Sequence, residues 1–306
     1  IEEDDFVSKE QGKKNQQRRC FPSVPGLAYL PNVLDAATHD AVVRFVEEQL
    51  ELGRANKLKG STYAPIPPKW DRRLQGREML QYGTYTHSNR VYDKDEVDVE
   101  TMPKILKDRV VQRLVERGVF DEDAFLPDSC TINVYRKGQW LPPHVDNPHF
   151  KRPFCTVSLV ADETCIFGKG IAWHPGLDES RSTSERRKEE NWQDVTETFE
   201  GEACRVVCEK NSALVLDGES GDVYEHAVLP VRAEVGRISL TFRKRDWDED
   251  AVKRRTIETD KWRAQYREKR KAAYEATKKE VVNVETERAR IARERLERKK
   301  AKEARK

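Results

Sequence analysis

The stretch PDSCTINVYRKGQWLPPHVDNPHFKRPFCTVSLVADETCIFG, residues 127–168, decides the fold. Cys130–Tyr135, Pro153–Ala161 and Thr164–Phe167 are short runs rich in Val, Ile, Thr, Cys and Phe, separated by Gly, Asn and Asp. Runs of this length and composition are strands bounded by turns rather than helices. Downstream, Arg205–Cys208, Ala213–Leu216, Glu225–Pro230 and Arg237–Arg243 read the same way. So many short strands predict a closed or two-sheet β architecture such as a jelly roll. Upstream the period changes. Asp35 caps a helix whose apolar positions are Val42, Val43, Phe45, Val46 and Leu50, and a second helix runs from about Met102 to Glu116 and stops at Gly118. Residues 53–76, with Pro65, Pro67 and Pro68, read as an irregular loop. The fold class expected is mainly β with flanking helices (α+β).

Composition sets the limits of that globular part. Of 306 residues, 37% are hydrophobic and 37% charged, against roughly 45–50% and 25% in an average globular chain, so part of the chain is solvated. Residues 1–21 are polar, without an apolar period, and are expected to be disordered. Residues 22–247 are expected to form the folded domain, with 174–203, rich in Ser, Glu and Arg, as an inserted surface loop. Residues 248–306 have the composition of a charged helix, with no heptad to support a coiled coil. The net charge of +2 hides an asymmetry: 251–306 hold 21 Lys and Arg against 10 Asp and Glu, which leaves 1–250 at −9. A basic tail on an acidic body points to a polyanionic partner or, equally, to a solvated helix with none. Its last residues, RLERKKAKEARK, fit a nuclear address or a cytoplasmic RNA tether. No stretch approaches the ~20 apolar residues of a membrane span. Six cysteines without a C-x-x-C pair exclude a disulfide scaffold and a structural zinc site, and point to a reducing, intracellular compartment in nucleus or cytoplasm.

The chemistry begins with His144 and Asp146 in WLPPHVDNPH. Two residues apart on an extended segment, both side chains leave the same face. An imidazole and a carboxylate are two of the three ligands of a facial triad, which holds Fe(II) with open positions. Such a pair also arises by chance, and the third ligand must come from a distant strand. His226 in VYEHAVLP fits best, because His39 lies on the first helix, His87 and His174 in or near loops, and His149 too close to His144. In RISLTFRKR, Ile238, Leu240 and Phe242 alternate with Arg237, Ser239, Thr241 and Arg243. Both arginines therefore share the polar face, where a guanidinium would clamp a carboxylate through paired hydrogen bonds. Asn133 and Tyr135 share a face in the same way.

Taken in order, Asn133/Tyr135, His144/Asp146, His226 and Arg237/Arg243 resemble the AlkB family of Fe(II)/2-oxoglutarate dioxygenases, in particular its RNA-demethylating branch. The resemblance runs from about Pro25 to Asp246, and its specific part from Pro127 to Arg243. It implies a double-stranded β-helix (jelly-roll) dioxygenase core with Fe(II) on His144, Asp146 and His226. It implies 2-oxoglutarate held by Asn133, Tyr135 and Arg237, and Arg243 near the substrate base. MLQYGTYTH resembles the family's nucleotide-recognition region, with Tyr82 and Tyr85 as rings on which an extruded base would stack. The activity implied is oxidative demethylation of single-stranded RNA, above all N6-methyladenine in mRNA, with O2 consumed and formaldehyde, succinate and CO2 released. The alternatives are the same chemistry on alkylated DNA, another RNA methyl mark or a protein side chain, and an RNA-binding module with an idle site.

Overall fold

The computed structural model describes residues 18–87, 90–92, 95–171, 197–198, 201–265 and 268. Residues 1–259 form one compact unit and 260–306 a second, of which 260–265 are helical. Most of the segments expected to be an N-terminal disordered arm, an inserted loop and a charged tail lie outside the described residues.

Two antiparallel sheets build the first unit. In chain order the strands of the large sheet are β1 (Arg19–Cys20), β2 (Leu27–Leu30), β3 (Tyr63–Ala64), β4 (Glu78–Tyr82), β7 (Ser129–Tyr135), β9 (Phe154–Ser158), β14 (Ser212–Leu216) and β16 (Arg237–Arg243). They lie side by side as β1-β2-β14-β9-β16-β7-β4-β3. The small sheet has the order β13-β10-β15-β8, from β8 (Leu141–His144), β10 (Glu163–Gly168), β13 (Cys204–Cys208) and β15 (Glu225–Val228). Two short hairpins complete the set: β5 (Thr86–His87) with β6 (Arg90–Val91), and β11 (Glu197–Thr198) with β12 (Gly201–Glu202). The chain keeps to the jelly-roll class expected of it.

The alternation of side chains decides what each face of the large sheet does. One set (Ala28, Leu30, Leu80, Tyr82, Cys130, Ile132, Cys155, Val157, Ala213, Val215, Leu240, Phe242) packs under the helices, with Val42, Val46 and Leu50 of α1 (Ala36–Arg54) and Leu106, Val110 and Leu114 of the second long helix. Asp35 caps α1 as expected, its Oδ1 accepting the Thr38 N–H at 2.9 Å. The second long helix contains a π-helical turn, Leu106–Val111, after a short α-helical start at 104–105, and ends α-helically at Gln112–Glu116. The opposite set (Leu27, Tyr29, Phe154, Leu214, Leu216) meets Phe167, Val206 and Val228 of the small sheet. Each large apolar side chain sealed between the sheets contributes about 1.5–3 kcal/mol.

The middle of that inner face breaks the rule. Asn133, Thr156, Ser158, Ser239 and Thr241 stand there on β7, β9 and β16, in register with one another. Asn133 Nδ2 donates to Thr241 Oγ1 at 3.4 Å, and the hydroxyls of Thr156 and Thr241 lie 3.1 Å apart. A polar floor between two apolar flanks is a pocket floor rather than a core.

Some elements depart from the expectations. Arg19 and Cys20 of the expected N-terminal arm already pair with Tyr29 and Ala28. The supposed irregular loop 53–76 contains β3 and a helical turn, Pro68–Asp71, with Pro at its start, where a missing N–H costs nothing. Residues 249–259, expected to belong to a free tail, hold to the body. There Val252 is buried, the Arg255 Nε–H donates to the Pro148 carbonyl at 2.9 Å, and Thr259 Oγ1 donates to the Asp222 carbonyl at 3.0 Å. The compact unit therefore ends at Thr259, not at residue 247.

Candidate active site

The small sheet supplies the first part of the site. Its register sets His226 of β15 directly opposite His144 of β8, with ring centroids 4.4 Å apart. Asp146 follows β8 by two residues and returns to the same place, with Oδ1 3.6 Å from His144 Nε2. One ligand atom from each of His144, Asp146 and His226 lies within 4.8 Å of the others, and among the described residues no other such group occurs. The two neighbours and the remote histidine thus converge.

Local contacts fix how these groups present themselves. The His144 Nδ1–H donates to the Pro142 carbonyl at 2.9 Å, which turns the Nε2 lone pair inward. Arg243 grips Asp146 through one oxygen: its Nη2 and Nε donate to Oδ2 at 2.7 and 3.1 Å, leaving Oδ1 toward the histidines. Burial, followed by repulsion from the other imidazole, pushes His226 down to about 3, and burial also lowers His144. Both rings are therefore neutral near pH 7, with lone pairs available. Burial alone would raise the Asp146 carboxyl, but the charge and hydrogen bonds of Arg243, joined by the imidazoles only once acid has protonated them, outweigh it and hold the group far below the usual range. Two neutral imidazoles and one ionised carboxylate are a donor set suited to Fe(II).

The large sheet supplies the second part. Arg237 is 2% exposed, and among the described residues its Nη1 and Nη2 reach only the hydroxyls of Ser239 and Ser158, at 3.0 and 3.4 Å, while its Nε has no partner there. Glu163 lies in its field, but not within ion-pair distance, and accepts the N–H groups of Arg232 and Ala233 instead. A guanidinium buried without a carboxylate is costly, and the far carboxylate of a dicarboxylic acid would complete it. Tyr135 stands opposite Arg237 in the ladder, with the guanidinium 5.6 Å from its ring centre, and Asn133 lies two residues along on the same face. The residues present therefore fit 2-oxoglutarate as well as iron.

One assignment gains a partner and one changes. Arg243, which the resemblance put near the substrate base, has its guanidinium bound to Asp146. Tyr82 is fully buried under α1, with its hydroxyl 3.2 Å from Gln49 Oε1. It pairs with Cys130 in the ladder, and Cys130 faces the helices, so Tyr82 must do the same. A ring with no exposed face cannot stack on a base. Tyr85 is only half-buried. Gly83, at φ +79°, turns the chain out of the sheet where a Cβ would stand 2.2 Å from the Asp128 carbonyl oxygen, and Tyr85 then stacks on His87 at 6.4 Å. His149 is a satisfied loop residue, its Nδ1 2.9 Å from Asn147 Oδ1.

Sequence reasoning missed Arg77. Its Nε donates to Asn133 Oδ1 at 2.7 Å, and its charge acts on both imidazoles. Parity would have found it. Met79 pairs with Asn133, so Arg77, two residues earlier, shares the inner face. Arg152 was missed as well. It ties the loop after Asp146 to the turn before His226, through the Phe150 and Gly221 carbonyls at 2.6 and 2.9 Å and Asp222 Oδ1 at 2.9 Å.

Residues 26–243 match the 2OG-Fe(II) oxygenase superfamily. The RNA demethylase ALKBH9B of Arabidopsis thaliana is 31% identical over 250 residues, covering 79% of this chain and 43% of that protein. The RNA demethylase ALKBH10B of the same plant is 23% identical over 240 residues, 76% of this chain and 37% of that protein. The chain thus spans less than half the length of either relative. A solved structure of OsALKBH1 aligns over 74% of this chain and 99% of its own, with TM-score 0.45 and 19% identity.

Proposed function

The chain belongs to the 2OG-Fe(II) oxygenase superfamily, and on that footing we propose that it is an oxidative demethylase of single-stranded RNA, acting on N6-methyladenine in mRNA. The observation that carries the reading is the meeting of His144, Asp146 and His226 above a buried Arg237 that lacks a carboxylate partner. The two relatives described as RNA demethylases support RNA as the substrate class.

His144, Asp146 and His226 would hold Fe(II). Arg237, with Asn133 and Tyr135 on the same face, would hold 2-oxoglutarate. Bound there, the iron, the co-substrate and O2 supply oxidation of an N-methyl C–H bond, with succinate and CO2 as co-products and the methyl carbon leaving as formaldehyde. The chain's own part is positioning. Arg243 holds Asp146 by Oδ2, the Pro142 carbonyl sets the His144 ring, and Arg77 orients Asn133. The apolar flanks of the polar floor exclude water around it. A methylated base reaches such a site only when it is out of a stack, which favours single strands, and Tyr85 at the edge of the fold is the ring proposed to receive it. Residues 260–306, the basic part of the chain, are proposed to attract phosphate.

The test is formaldehyde and succinate release from oligonucleotides carrying N6-methyladenine, other RNA methyl marks or alkylated DNA bases. N6-methyladenine RNA should give the highest kcat/KM, and His144→Ala or Asp146→Ala should abolish release. Preferred turnover of a methylated DNA or protein would overturn the substrate, and iron-dependent turnover by the alanine variants would overturn the ligand set.

A further inference from the structure

Trp247 is 65% exposed, against 38% for Trp70, the other exposed tryptophan among the described residues. An isolated exposed tryptophan would need no explanation, but Trp247 ends a continuous array. The Arg245 guanidinium lies 4.4 Å from the centre of its ring. Arg245 Nη1 also donates to the Tyr92 carbonyl at 3.1 Å. Tyr92 carries the Arg90 guanidinium 4.4 Å from its own ring centre and lies 5.3 Å from Tyr85. Two guanidinium–ring pairs, Arg90 on Tyr92 and Arg245 on Trp247, are thus joined through the Tyr92 carbonyl between the β5–β6 hairpin and the end of β16.

This array borders the active site. Arg245 is bridged to Phe150, the Lys151 N–H donates to the Lys244 carbonyl at 2.8 Å, and the Asp246 N–H donates to the His149 carbonyl at 2.8 Å. The strand end that carries Trp247 is therefore sewn to the loop that follows Asp146. Arg243, two residues before Arg245, holds Asp146 itself.

We propose that Trp247, with Arg245, Tyr92 and Arg90, is a stacking platform for the RNA strand beside the nucleotide that enters the site. This rests on the demethylase reading above and adds a contact to it. Aromatic faces interleaved with arginine suit unpaired bases, because every base offers a π-face and arginine adds a cation–π contribution. Nearby acids do not cancel the match. Asp246 is paired with Arg255, Asp248 caps the following helix by accepting the Ala251 N–H at 3.0 Å, and Glu96 is paired with Arg90. Glu249 and Asp250 are exposed on the helix that follows Trp247.

The test uses the full chain and a labelled, unstructured oligoribonucleotide containing N6-methyladenine. Trp247→Ala should bind it about tenfold more weakly, the cost of one lost base stack, and Trp247→Phe should recover most of the affinity. Thermal melting of both variants excludes misfolding as the cause. Wild-type affinity and KM in Trp247→Ala, alongside normal demethylation by the wild type, would overturn the platform and leave the demethylase reading standing. A wild-type protein that turns over 2-oxoglutarate but binds no RNA would overturn both.

Discussion

Arg243 shows how one side chain governs another. By taking Asp146 Oδ2 with two N–H groups it fixes which carboxylate oxygen faces the histidines. Removing such a partner commonly costs 10–100-fold in metal affinity or activity. Arg243→Ala should therefore weaken Fe(II) binding by roughly that factor, with Arg243→Lys recovering only part, as an anaerobic iron titration would measure. Unchanged affinity would mean that Asp146 needs no second support. The sequence made the ligands legible, because His-x-Asp and a remote His on a strand are type-and-spacing signals. It did not reveal which neighbour each ligand would take. Tyr82 was misread for a related reason: composition marks an aromatic residue, whereas only the register against Cys130 says which face it leaves.

At the scale of elements, alternation in RISLTFRKR predicted both ends of β16 and the face of each residue, because a half-buried strand has a period of two. The short strands β1 and β3 left no such trace, since two residues cannot display a period. The helix after β16 reads in the sequence as free tail, because its charged composition hides three anchors, Val252, Arg255 and Thr259. One anchor has a pH signature. Burial would raise the Asp246 carboxyl, but hydrogen bonds from Arg255 and the Asp248 N–H lower it. A depressed folded pKa adds stability that is present above the unfolded value of about 3.9 and is lost as pH falls through the folded value. Asp246→Asn should thus lower the urea midpoint near neutral pH, and its difference from wild type should shrink below about pH 4. A difference independent of pH would show that the Arg255 pair is not the cause.

Over the whole molecule, charge is divided between a body at −9 and a terminal segment at +11. Because Arg255 and Thr259 anchor the helix to the body, a truncation that tests the basic segment must spare them. A chain ending at residue 265 should bind RNA more weakly, and its affinity should fall less steeply with salt, since fewer phosphate-bound counterions are released. An unchanged salt slope would place the phosphate contacts elsewhere. A last consequence follows from the position of β8 as the outermost strand of the small sheet, with His144 facing His226 of β15. Sheet borders are the first places to fray, and peeling those four residues would separate two of the three donors at once. A cation shared across that border would act as a rivet. The protein's resistance to heat would then follow the supply of metal around it rather than the polypeptide alone.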